Sequence, residues 1–192
     1  MFTSDTLYYF FSTLAQVIAA ATALIAVLVH FRISALRDFL IGDGESVLKR
    51  KEDYGNSKGY ELLTDQNKDR LQDSVNRKDI IGIKKVLNEL AILEENKNVN
   101  KEHHGFQWLL KYYTKTENQI IEMSRTSKYA FIIALITALY SVLAILFIEI
   151  SLDNYCFQIA LVSFNIILLA ICCYYIIKGI GLAFKNFTNR FE

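Results

Sequence analysis

Three long apolar stretches, residues 7–31, 129–150 and 156–177, constrain this chain more than any other feature. A hydrocarbon core about 30 Å thick is crossed by about 20 mostly apolar residues in a helix. Each stretch is long enough, and none contains Asp, Glu, Lys or Arg before Glu149, at the end of the second. The sequence therefore predicts a membrane protein with three transmembrane helices.

The composition agrees with that class. Of 192 residues, 53% are hydrophobic and none is proline, which is more apolar than a typical soluble domain of this size. A cleaved signal peptide opens with a basic segment, whereas the first basic residue here, Arg32, follows the first stretch. We therefore expect the mature protein to keep its first transmembrane helix.

Basic residues set the predicted orientation, because loops rich in Lys and Arg stay in the cytoplasm. Of the 21 basic residues, 18 lie between Arg32 and Lys128, and the other three lie in the tail after the third stretch. The N-terminus and residues 151–155 carry none. We predict a multi-pass protein of the cell (inner) membrane, with its N-terminus outside and its C-terminus in the cytoplasm.

The predicted fold is an all-α integral membrane protein with a cytoplasmic helical domain inserted between the first and second transmembrane helices. The last cytoplasmic helix is predicted to be continuous with the second span. The segments are 1–31, transmembrane helix 1; 32–128, the cytoplasmic helical domain and stalk; 129–150, transmembrane helix 2; 151–155, an external turn; 156–177, transmembrane helix 3; and 178–192, a cytoplasmic tail.

Glycine and asparagine divide the cytoplasmic domain into short predicted helices. The loop signals are residues 41–44, 55–59 and 96–100. The helices expected between them cover residues 33–40, a short segment from Ser46, residues 60–76 and residues 79–95. In the last of these, Ile80, Ile83, Leu87, Leu90 and Ala91 recur every three or four residues, which predicts a helix with one buried face.

A seven-residue pattern begins at Phe106 and continues into the second span. One set of positions is Phe106, Tyr113, Ile120, Ser127, Ala134, Ser141 and Ile148; the other is Leu109, Thr116, Met123, Ala130, Thr137 and Ala144. This pattern predicts one long helix with a stalk outside the bilayer, and a bend near residues 125–127 is the main alternative. The residues expected to join copies along the stalk are Phe106, Leu109, Tyr113, Ile120 and Met123.

The first span has two contrasting faces. Ser12, Gln16, Ala19, Ala23, Ala26 and His30 form a small, polar stripe, and Leu14, Ile18, Ala21, Ile25 and Leu28 form an apolar stripe. Polar residues within a span usually face protein or water rather than lipid. The candidates for pore lining or for helix packing are Ser12, Gln16, Ala19, Ala23, His30, Thr137, Ser141 and Asn165. His30 either belongs to a gate at the inner mouth or anchors the helix at the headgroups.

Charge and motif content exclude several function classes. Residues 32–128 carry 18 basic and 16 acidic side chains, which is too even a balance to predict direct nucleic-acid binding. The sequence has no glycine-rich phosphate loop, nucleophile elbow or metalloprotease helix motif. We therefore expect no enzyme, no catalytic or metal-binding residues and no cofactor, and no ligand-binding residue can be named.

Two functional hypotheses follow. The first is a homo-oligomeric channel or membrane-permeabilising effector, gated through the cytoplasmic domain. Three spans are too few to enclose a pore, so this hypothesis requires a tetramer or larger ring of identical subunits. The alternative is a membrane-anchored sensor or scaffold that recruits a soluble partner and has no pore.

One segment of the first span resembles a known class of proteins. The residues FFSTLAQV, 10–17, followed by the alanine-rich run to Ala26, are similar to the first helix of small multi-pass bacterial membrane effectors of anti-phage defence systems. The resemblance implies depolarisation of the host membrane when a nucleotide signal or a soluble protein partner is sensed during infection. It carries over no functional residue.

Overall fold

A computed structural model describes residues 3–54, 60–96, 105–148 and 154–184, and every regular element in these ranges is helical. The elements are α1 (Ser4–Tyr54), a 3₁₀ turn (Tyr60–Leu62), α2 (Asp65–Asn76), α3 (Ile80–Asn96), α4 (Phe106–Leu146) and α5 (Tyr155–Phe184). The predicted all-α class is confirmed for this part of the chain. Asn96, the first residue of the loop predicted at 96–100, is the last residue of α3. The predicted loop at 55–59, the rest of the loop at 96–100, residues 151–153 of the external turn and residues 185–192 of the tail lie outside the described residues.

Three helices are long and apolar enough to cross a membrane. They are Ser4–Glu52 within α1, Phe106–Leu146 and Tyr155–Phe184. The prediction of three apolar helices of membrane-spanning length is therefore confirmed. Within α4 the backbone stays helical through residues 125–127.

The chain divides into two compact units. Residues 1–32 and 122–192 form one, called here the three-helix unit, and residues 33–121 form the other, called the inserted unit. Helices α1 and α4 each contribute residues to both.

The three-helix unit is held together by two apolar clusters. The first contains Leu7 and Phe11 of α1 with Ala144 and Ile148, and Leu161 of α5 packs against it. The second brings together Ile18 of α1, Ala134 of α4 and Cys172 of α5. From the first cluster to the second, residue numbers rise along α1 and α5 and fall along α4. Helix α4 therefore runs antiparallel to the other two.

The inserted unit has one apolar core, to which α1, α2, α3 and α4 contribute. Its members are Leu40, Ile41, Val47, Leu48, Leu62, Leu63, Leu71, Val75, Ile83, Val86, Leu87, Leu90, Ala91, Phe106 and Tyr113. The buried face predicted for α3 is confirmed, because Ile83, Leu87, Leu90 and Ala91 are buried and Ile80 packs against the same core.

The predicted loop at residues 41–44 is wrong. Helix α1 continues through it to Tyr54, so the separate helices expected at 33–40 and from Ser46 are one element. The buried residues Leu40, Ile41, Val47 and Leu48 keep helical spacing across the two glycines. Burial of this face outweighs the cost of a glycine inside a helix, about 1 kcal/mol each.

The helix predicted at 60–76 is also divided differently. A 3₁₀ turn covers Tyr60–Leu62, and α2 begins at Asp65. Thr64 is the N-cap residue, with extended backbone, and its Oγ1 accepts a hydrogen bond from the Asn67 amide at 3.4 Å. A threonine in this position satisfies a donor that the first turn of a helix leaves without a partner, which sets the start of α2.

Candidate functional site in the membrane-spanning helices

The polar candidates of α4 and α5 lie inside the three-helix unit. Asn165 and Ser141 are fully buried, and Asn165 Nδ2 donates to Ser141 Oγ at 3.0 Å. Ser141 Oγ also lies 2.9 Å from the Thr137 carbonyl oxygen, to which it can donate. Thr137, itself fully buried, donates to the Ile133 carbonyl oxygen at 2.8 Å. The Ser141–Asn165 pair links α4 to α5 within one chain, and none of these side chains reaches the outer surface of the unit.

The polar stripe of α1 lies on the outside of the same unit. Gln16, Ala19, Ala23 and His30 are exposed, and Ser12 is half-buried. The apolar stripe faces inward over most of its length, since Ile18 and Ile25 are buried. The structure therefore separates the eight candidates into an internal group on α4 and α5 and an external group on α1.

The large apolar residues of the stalk pattern pack within the chain. Phe106 and Tyr113 are buried in the core of the inserted unit, with Leu109 and Ile120 partly buried against it. Met123 is buried in the three-helix unit. Contact between copies through these side chains stays a prediction. It would require side chains that are already buried or partly buried within one chain.

Tyr113 fixes α4 to the start of α3. Its hydroxyl donates to the Ile80 carbonyl oxygen at 3.0 Å, and its side chain is fully buried. Burial, followed by the charges of Glu117 and Asp43, raises the pKa of this phenol above its ordinary value. The hydroxyl therefore remains a hydrogen-bond donor at every physiological pH.

Ion pairs on the inserted unit join the same helices. Arg70 of α2 binds Glu89 of α3 through two hydrogen bonds of 2.6 and 2.9 Å, and Lys84 of α3 pairs with Glu117 of α4. The hydrogen bond from Arg70 lowers the pKa of the Glu89 carboxyl. Because both Arg70 and Glu89 are well exposed, this pair orients the helices more than it stabilises them.

An open depression of about 430 Å³ lies on the inserted unit. Its lining residues are Ser34, Arg37, Asp38, Ile41, Lys78, Asp79, Ile80 and Ile81. Two cationic and two anionic side chains give it no net charge, and Asp79 Oδ1 accepts a hydrogen bond from the Ile81 amide at 3.1 Å. This balance singles out no class of ligand.

Sequence reasoning missed several internal polar residues, of which Gln158 is the most deeply buried. It is fully buried in α5, one heptad before Asn165, and Cys172 follows after a second heptad. The inward face of α5 therefore repeats every seven residues, and that period is visible in the sequence. A search for polar residues seven positions from Asn165 would have found it.

The chain matches no protein-family model, no curated protein and no solved structure. Its function is therefore argued from the placement of these side chains.

Proposed function

We propose that this chain forms a homo-oligomeric channel or membrane-permeabilising effector, with the polar stripe of α1 at the contact between copies or along the pore. The exposure of Gln16 carries the proposal. Its amide lies on the outside of a unit whose other surface side chains in the spans are mostly large and apolar. An amide facing hydrocarbon costs several kcal/mol unless it is hydrogen-bonded.

The residues around Gln16 support contact with another helix. Ala19 and Ala23 follow it on the same exposed face at three- and four-residue steps. Small side chains let helix backbones approach closely in lipid, and amides hydrogen-bond between helices. A face that contacts only lipid needs neither small side chains nor an amide. A ring of identical subunits therefore accounts for this face better than isolated chains do.

The internal group narrows the set of pore-lining residues in this proposal. Thr137, Ser141 and Asn165 are fully buried within one chain, so they serve helix packing. The pore-lining candidates that remain are Ser12, Gln16, Ala19, Ala23 and His30. They carry no fixed charge, which suits a weakly selective pathway.

In this proposal the inserted unit lies in the cytoplasm of a bacterial cell and receives the activating signal. Most of the basic residues lie in or next to this unit, which supports that orientation in the inner membrane. Helix α4 contributes to both units without a break, so it is the element proposed to couple the signal to the spans. Anti-phage defence, with a nucleotide or a soluble protein as the signal, is the context that the resemblance of the first span supplies.

An exposed tryptophan favours the alternative of a scaffold that recruits a soluble partner. Trp108 is 55% exposed and stacks on Tyr112, with ring centroids 5.8 Å apart. Exposed aromatic side chains of this kind are enriched at the centres of protein interfaces. In this reading the polar stripe serves assembly alone.

Ion flux separates the two functions. Purified protein is reconstituted in liposomes, and release of an entrapped ion is compared for wild type, Gln16→Leu and Val17→Leu. We expect wild-type flux and a loss of about tenfold for Gln16→Leu, as an added barrier of about 1.4 kcal/mol would produce. Val17→Leu, at a neighbouring exposed apolar position, controls for the added bulk and should keep wild-type flux. Absence of wild-type flux, with a soluble partner co-purifying, would support the scaffold instead.

A further inference from the structure

The side-chain amide of Gln158 is the least satisfied polar group in the three-helix unit. The residue is fully buried in the first turn of α5, and neither Oε1 nor Nε2 has a hydrogen-bond partner in the protein as described. An amide presents two donors and one acceptor with two lone pairs. Leaving them unpaired in a bilayer is energetically unfavourable, so the site requires a partner.

Among the described residues, the surrounding side chains do not supply that partner. Ser141 contacts Asn165, and α4 and α5 are antiparallel. Gln158 lies seven residues before Asn165 and Ile148 lies seven residues after Ser141, so Gln158 lies level with Ile148. Ile148 belongs to the apolar cluster of Leu7, Phe11 and Ala144. Every side chain in that cluster is apolar, and none can accept or donate a hydrogen bond.

Asn165, on the same face of α5 as Gln158, has a side-chain amide that is hydrogen-bonded. It is also fully buried, it lies seven residues further along α5, and its Nδ2 donates to Ser141. The two amides differ in their partners and not in their burial. The contrast therefore assigns the missing interaction to something other than the described side chains of this unit.

We propose that Gln158 is the binding site of a buried water molecule between the three helices. The ligand must be small and must both accept from Nε2 and donate to Oε1, and water is the abundant molecule that does so. Helix α4 ends at Leu146, near the same level, and the last carbonyls of a helix generally lack intrahelical donors. We expect a carbonyl oxygen of this turn to be a further acceptor for the water.

This inference is independent of the channel proposal, since it concerns the interior of one chain. It places one buried water molecule at the end of the three-helix unit where α4 ends and α5 begins. Each subunit would carry this water whether or not a ring forms.

Nuclear magnetic resonance tests the proposal directly on the full chain in detergent micelles. The protein is labelled with ¹⁵N at glutamine and asparagine side chains, and Gln158→Met assigns the Gln158 amide by its disappearance. We expect a cross-peak between the Gln158 Nε2 protons and water, and a weaker one or none for Asn165 Nδ2. A Gln158 amide without a water cross-peak would overturn the proposal.

Thermal unfolding of the same variant gives a second test. Met has a side chain of similar length without the amide. If the amide is unpaired, the substitution should raise the stability of the protein; if water already pairs the amide, it should not. We expect the unfolding midpoint of Gln158→Met to fall, or to rise by less than about 4 °C. A larger rise would mean that the amide is unpaired and would overturn the water site.

Discussion

At the scale of single residues, Lys78 is the clearest departure from sequence rules. Its φ of 55° is in the left-handed region, and it follows Arg77, the C-cap residue of α2. The Lys78 amide donates to the Val75 carbonyl oxygen at 2.9 Å, and the Asp79 amide donates to that of Ser74 at 2.8 Å. This is the helix-ending arrangement in which glycine is usually found, because a side chain strains that backbone.

Replacing Lys78 by glycine should therefore stabilise the protein. We expect Lys78→Gly to raise the free energy of unfolding by about 0.5–1 kcal/mol, because the strain removed exceeds the added freedom of the unfolded chain. The matched control is Arg77→Gly at a φ of −82°, which should lower stability. Urea titration followed by circular dichroism measures both. A loss of stability in Lys78→Gly equal to that in Arg77→Gly would contradict the assignment.

At the residue scale, a polar side chain that interrupts an apolar run is visible in the sequence. Asn165, Ser141 and Thr137 were identified in this way, although the sequence left open whether they face a pore or a neighbouring helix. Lys78 gave no signal, because only glycine or asparagine at that position would predict a left-handed backbone. Gln158 lies near the end of its span, where a polar residue attracts less notice.

At the scale of elements, two glycines in α1 play different parts. A Cβ at Gly44 would lie 2.9 Å from Val75 Cγ2 and 3.4 Å from two side-chain carbons of Ile83, so this glycine allows the helix to pack closely on its neighbours. A Cβ at Gly42 would meet nothing within 4 Å. Both residues looked like loop signals in the sequence, and neither interrupts the helix.

Alanine substitutions at the two positions should have opposite effects. Gly44→Ala should destabilise the protein by about 1–3 kcal/mol, because Val75 and Ile83 must move within a packed core. Gly42→Ala should stabilise it by about 0.5–1 kcal/mol, since alanine favours the helix. Urea unfolding compares the pair in the same helix. Equal effects of the same sign would show that α1 does not pack through Gly44.

The boundaries of the elements could be predicted in part. The buried face of α3 follows from its apolar spacing, and the long helix α4 follows from an unbroken heptad pattern without proline or glycine. The continuity of α1 was missed, because glycine was given more weight than the helical spacing of Leu40, Ile41, Val47 and Leu48. Burial of four large side chains exceeds the propensity cost of two glycines.

At the scale of the whole molecule, the two faces of α1 can be recognised in the sequence, but which of them turns toward the other helices cannot. Lipid is as apolar as a leucine side chain, so hydrophobicity alone does not tell which face turns inward. The structure places Ile18 and Ile25 inside and Gln16 outside. The bulky residues fill the space between the three helices, and the small polar face remains on the surface of each chain.

The central claim, that this face joins copies into a ring, depends on the number of subunits. Native mass spectrometry of the full chain, released from a mild detergent, counts them directly. The account predicts one discrete assembly, a tetramer or larger, that Gln16→Leu weakens and Val17→Leu leaves intact. A monomer or a dimer would contradict the ring, and the polar stripe would then need another explanation.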